Sequence, residues 1–330
     1  MDTEAYFLKL LEKSGITYKI NDDCAWLSPL LNHTKDINKN SYIIATDSFI
    51  ENIHFRTQNF NQGKESIDIK STNIKRYVNK NQWLSYENLA KKAFLVNISD
   101  ILSSGALPKY ALLSIVLPKK IHHSNIKDII SGLVDICKTY NIKLIGGDTM
   151  CGDKLAFNIT MIGNLIGKYI SRNSIRNGDL LAYTSIRNGD LGTSLYALRM
   201  LLRYGAYKNV ISYNCIESND RLSRFTLPFL RMQFLKRSYR LLHACMDISD
   251  GLANEISRLE RQNKLTFYPF KILKKQVYQS GEEYELLFSF SKKHGNALKK
   301  IANATRTKIH IIGRFGRYKP QFFSAIKWHT

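Results

Sequence analysis

Acidic residues are scarce in this chain: 27 Asp and Glu stand against 49 Lys and Arg in 330 residues, a formal net charge of +22. Cysteine is also thin. The five cysteines, at 24, 137, 151, 215 and 245, are odd in number and contain no Cys-x-x-Cys pair, which argues against a zinc ribbon or a disulfide framework and fits reduced thiols. Long apolar runs are missing too. The best, Tyr110 to Leu117, falls well short of the roughly 18 residues a membrane helix needs. At the N-terminus Asp2 and Glu4 precede Phe7, Leu8, Leu10 and Leu11, an acidic first helical turn rather than the basic start of a signal peptide. A cytoplasmic location is the expectation.

What is present is an ordinary globular composition, 44% hydrophobic, at a length where one core stops growing and two domains of roughly 150 residues are expected. The positive charge admits a nucleic-acid surface. However, the lysines are interleaved with Asn, Ile and Tyr along the whole chain, which favours a solvated surface. Periodicity predicts a helix over 3–13, one from Glu87 to near Gly105, and one over 123–140, where Ile126, Ile129, Ile130, Leu133, Val134, Ile136 and Cys137 recur at 3.6 spacing. Further helices are expected at 193–203 and after Gly251. Strands are expected at 42–45, 110–117, 143–145, 155–162, 180–183, 285–290 and 308–312, giving a mixed α and β chain. A polar, basic segment over 56–82 reads as an insertion, and 163–177 as a connection between domains.

The few acids are placed distinctively. Asp22 and Asp23 are adjacent, Asp47 and Asp148 follow short strands, Asp100 and Asp250 stand beside Ser or Gly, and Asp247 lies three residues before Asp250. Taken singly, each has a plain structural reading: Asp22-Asp23 as a turn, Asp148 as a helix cap, Ser249 or Asp250 as the cap of the helix that follows. Taken together, they repeat one pattern across both halves. If they converge they need cations, because like charges 4 Å apart repel by about 4 kcal/mol at an effective dielectric of 20. Oxygen ligands without a Cys or His cluster point to Mg²⁺ bridging to phosphates, hence phosphoryl transfer. Neither a P-loop nor a protein-kinase loop is present.

Six ordered motifs then resemble those of the thiamine-monophosphate kinase family: Asp22-Asp23-Cys24-Ala25; Ala45-Thr46-Asp47-Ser48 followed by His54-Phe55; Val96-Asn97-Ile98-Ser99-Asp100; Gly146-Gly147-Asp148-Thr149; Asp247-Ile248-Ser249-Asp250-Gly251-Leu252; and Ser280-Gly281-Glu282-Glu283-Tyr284-Glu285-Leu286. The resemblance implies an aminoimidazole ribonucleotide synthetase-like, mixed α+β fold in two domains. Residues 1–165 would bind ATP and Mg²⁺ and dimerise, and 166–330 would complete the active site. The reaction implied is direct transfer from ATP to thiamine phosphate, without a phosphoenzyme or a separate catalytic base. By motif position, Asp23, Thr46, Asp47, Asp100, Asp148, Asp247 and Asp250 would hold several Mg²⁺ ions. Gly147, Arg172 and Ser249 would contact ATP; His54, Glu282 and an aromatic such as Trp328 would meet thiamine phosphate. The chain departs from the family at Asn21, at Ala45 and in the long 56–82 segment. Two alternatives stay open: an enzyme of the same superfamily with another small acceptor, and a basic nucleic-acid-binding protein with a vestigial nucleotide site.

Overall fold

A computed structural model describes residues 24–26, 41–56, 84–204 and 223–317. The expected helix over 3–13, Asp23, almost all of the basic segment, and Trp328 lie outside the described residues. The first sheet has the order β1-β2-β5-β3-β4, formed by β1 (Cys24–Trp26), β2 (Tyr42–Ile50), β3 (Ala106–Pro118), β4 (Lys143–Gly152) and β5 (Ala156–Leu165). Its pairs are antiparallel except β3 with β4, which are parallel and joined by helix α2 (His123–Tyr140). A parallel neighbour requires such a crossover. The second sheet, order β7-β9-β6-β10-β8, is antiparallel throughout. It is built from β6 (Leu180–Ile186), β7 (Leu242–Asp247), β8 (Leu265–Pro269), β9 (Leu286–Phe290) and β10 (Thr307–Arg317). The hexamer Ile-Arg-Asn-Gly-Asp-Leu, which occurs at 175–180 and 186–191, forms the turns at the two ends of β6.

Helix α1 (Tyr86–Ser103) lies between these layers. Ser85 caps it, its hydroxyl accepting from the Asn88 amide at 3.2 Å. Gly105, at φ +83°, lets the chain leave it, and a Cβ there would sit 2.8 Å from the Lys168 carbonyl. Most of α1 is buried, including the polar Lys92, Asn97, Ser99 and Asp100. A surface helix would bury one stripe, so this one has neighbours on several sides. The main apolar core follows from that: Leu89, Phe94 and Ile98 of α1 cluster with Ile43 and Phe157 of the first sheet and with Cys245, Leu286 and Phe288 of the second.

Two of the strands that run further than their sequences suggest carry candidate site residues. β2 was expected to stop at Ala45 but continues through Thr46, Asp47 and Ser48 to Ile50, paired residue by residue with β5. β4 likewise runs through Gly146, Gly147 and Asp148 to Gly152. Polar and glycine residues disfavour strands locally, but in both cases the neighbouring strand supplies the ladder. Asp148 is therefore a strand residue and caps no helix.

Candidate active site

Four acids from four different elements act on one buried phenol. Burial pushes the Tyr284 hydroxyl well above its ordinary value, and the charges of Glu282, Asp247, Asp47 and Asp100 push it further. Asp47 comes from β2, Asp100 from the last turn of α1, Asp247 from the end of β7, and Glu282 from the loop before β9. In β2 the buried positions are Ile43, Ala45 and Phe49, so alternation sets Asp47 on the core-facing side, towards α1.

Asp247 is the centre of this group. Ser99 Oγ on α1 donates to Asp247 Oδ2 at 2.6 Å. Burial pushes the Asp247 carboxyl up to about 6; Ser99 and Arg172 pull it back, while Asp47 and Asp250 push it higher. Arg172 is itself buried, so it is not the surface arginine its composition alone would suggest. Asp250 is engaged by Arg258, whose guanidinium donates to it at 3.1 Å and to Glu255 at 3.0 Å. The helix after this loop, α6 by the chain order α3 (Thr193–Tyr204), α4 (Ser223–Thr226), α5 (Met232–Ser238) and α6 (Leu252–Asn263), starts at Gly251. No side chain caps it, so neither Ser249 nor Asp250 is the cap expected.

The loop carrying Glu282 is held by backbone bonds to the Asp247 loop. Glu282 N donates to the Ser249 carbonyl at 2.6 Å, and Tyr284 N to the Ile248 carbonyl at 2.9 Å. Both residues have φ of 51°, a left-handed conformation costly for side chains other than glycine. The Glu282 carboxylate is buried and receives the Lys92 ammonium at 2.6 Å. His54 and that pair share Phe49 as a neighbour: the His54 ring is 5.5 Å from the Phe49 ring, and Lys92 Nζ is 6.0 Å from the same ring. His54 Nδ1 accepts from the Ile50 amide at 3.0 Å, which puts the proton of the neutral ring on Nε2.

Two expected ligands stand apart. The Thr46 side chain points to the opposite side of β2 from Asp47 and bonds the Ile159 carbonyl at 3.2 Å. Asp148 is exposed on the edge strand β4, in register with Ser114, Asn158 and Ser48 in turn. It lies three strand spacings from β2, about 14 Å. Gly147 beside it approaches β3 so closely that a Cβ would fall 1.8 Å from the Leu113 carbonyl. Lys92, Ser99 and Tyr284 belong to the site although sequence reasoning gave them no role. Ser99 and Tyr284 lay within recognised motifs; Lys92 had no signal in a lysine-rich chain.

The donor set is all oxygen, with Asp47 and Asp250 repelling the buried Asp247. That surplus negative charge suits a hard cation. Among the described residues no three Asp, Glu, His or Cys side chains are close enough to hold an ion alone. Mg²⁺ takes one or two carboxylates and completes its shell with water and substrate phosphate, so these residues fit it.

The family described as AIR synthase related protein, N-terminal domain, matches residues 21–165. The thiamine-monophosphate kinase of Buchnera aphidicola subsp. Schizaphis graminum is 30% identical over 240 residues, 68% of this chain and 70% of the relative. That of Methanocaldococcus jannaschii is 28% identical over 324 residues, covering 91% and 87%. Among solved structures, AaThiL complexed with AMPPCP and TMP is similar with a TM-score of 0.72 at 21% identity, over 98% of this chain and 94% of that one.

Proposed function

The chain belongs to the thiamine-monophosphate kinase family, and on that premise we propose that it transfers the terminal phosphate of ATP directly to thiamine phosphate. An oxygen of the acceptor phosphate attacks the terminal phosphorus, the bond to ADP breaks, and thiamine diphosphate forms. That oxygen is already anionic near neutral pH, so the reaction needs positioning and charge stabilisation more than a base. The observation that carries this reading is the convergence of Asp47, Asp100, Asp247 and Glu282 around Tyr284.

In this reading Asp47, Asp100, Asp247 and Asp250 hold Mg²⁺, and the resemblance adds Asp23, Thr46 and Asp148. When bound, Mg²⁺ supplies the positive charge that lets two phosphate chains approach. Arg172 and Ser249, beside Asp247, contact ATP together with Gly147. His54 and Glu282 meet thiamine phosphate; Trp328 is assigned by the resemblance alone. A division near residue 165 is supported by the two sheets, the first ending at Leu165 and the second starting at Leu180. The reading also includes a homodimer and a cytoplasmic place of work.

Incubating the protein with ATP, Mg²⁺ and a panel of thiamine, thiamine phosphate and other small phosphorylated acceptors tests it. Thiamine diphosphate and ADP in equal amounts are expected. ATP turnover with another acceptor, and none with thiamine phosphate, overturns the assignment.

A further inference from the structure

Lys92 is a lysine in an unusual place. Its side chain is 1% exposed and that of Glu282 is 5% exposed, and long charged side chains are almost never this buried unless paired. The partners come from opposite halves of the molecule, Lys92 from α1 and Glu282 from the loop before β9. The ammonium also stands 3.9 Å from the centre of the Phe225 ring and 6.0 Å from that of Phe49. It is thus held by two aromatic faces and one carboxylate, in a position that a flexible lysine adopts only when its surroundings enforce it.

Glu282 needs such a partner. Its backbone is held at φ 51° by the bond to Ser249, and its charge acts on Tyr284 together with Asp247, Asp47 and Asp100. A buried carboxylate among other carboxylates is held in place by a cation at hand. Lys92 is that cation, and its ammonium also stands 6.0 Å from the Phe49 ring against which His54 packs.

We propose that Lys92 is a positioning residue for the acceptor: it fixes the Glu282 carboxylate across the boundary between the halves, and so sets the geometry in which thiamine phosphate binds. The proposal rests on the functional reading above, since Glu282 acts on the acceptor there. A simple staple between the halves would affect both substrates alike; a positioning residue affects one.

Steady-state kinetics with the full chain separates the cases, using Lys92→Gln, Glu282→Gln and the double variant. Lys92→Gln is expected to raise KM for thiamine phosphate roughly tenfold or more while KM for ATP changes by less than about twofold. The double variant, which leaves no lone buried charge, is expected to be no worse than the poorer single variant. It keeps the test available if a single variant does not fold. Equal shifts in both KM values, or multiplicative effects in the double variant, overturn the proposal. A wild-type enzyme that fails to use thiamine phosphate overturns the functional reading first, and the role of Lys92 falls with it.

Discussion

Ser99 on α1 donates a 2.6 Å hydrogen bond to Asp247 at the end of β7, so a hydroxyl from the first half holds a buried acid of the second. Removing that donor leaves a buried carboxylate short of a partner. Ser99→Ala is expected to cost about 1–3 kcal/mol in urea unfolding. Turnover should fall as well, because Asp247 loses its fixed direction. Unchanged stability and unchanged kcat together would show that the bond is incidental.

Asp47 and Asp148 separate by where they sit. Asp47 repels the buried Asp247, so Asp47→Asn is expected to preserve or raise the melting temperature while lowering turnover by at least about a hundredfold, the scale of losing charge stabilisation in the transition state. Asp148 is exposed on the sheet edge, and Asp148→Asn is expected to leave the melt unaltered while abolishing turnover. Thermal melts alongside ADP release check both. Full activity in both variants would remove the carboxylate argument.

The buried acids also set a pH dependence. Burial raises Asp247 from 3.8 to about 6, and raises Glu255 from 4.5 to about 7 despite Arg258. Through that window these two groups hold more protons in the folded protein than in the unfolded chain, so their contribution to stability falls as pH rises. Below the unfolded values both states are protonated and the penalty disappears. Metal-free protein is therefore expected to melt at a lower temperature at about pH 8 than at about pH 5. Asp247→Asn should flatten the difference. Millimolar Mg²⁺ is expected to restore stability mainly at the higher pH, where Asp247 is deprotonated and free to act as a ligand. A melt that rises with pH in the absence of metal would contradict this account.

The legibility of this fold in its sequence varied with how local its causes are. Helix α2 is amphipathic with a solvent face, and its expected limits, 123–140, are those observed. β2 and β4 were cut short because Thr46-Asp47-Ser48 and Gly146-Gly147-Asp148 have little strand preference of their own. Their extension comes from the ladder with β5 and β3, which no local window contains. The acids were visible because acids are scarce here. Lys92 was not, because a basic chain hides one cation among many; Arg172 stood out only through the family resemblance, and the burial of both arises only when the halves pack.

The edge strand β4 carries the last prediction. It lies at the end of the first sheet, and nearly all its residues are exposed. Among them are Leu144, Ile145 and Met150, with Leu112 on the adjacent β3 also uncovered. A ten-residue edge that, among the described residues, has no strand on its outer side and carries apolar side chains invites pairing with another chain unless something covers it. A second copy meeting this sheet would bury both the side chains and the edge. Leu144→Asp combined with Ile145→Asp is expected to convert a dimer to a monomer in sedimentation velocity. Circular dichroism should remain unchanged, since these side chains contribute little to the core of their own chain. A wild-type monomer at the same concentration would refute the dimer, and a doubly substituted chain that still dimerises would move the interface away from this strand.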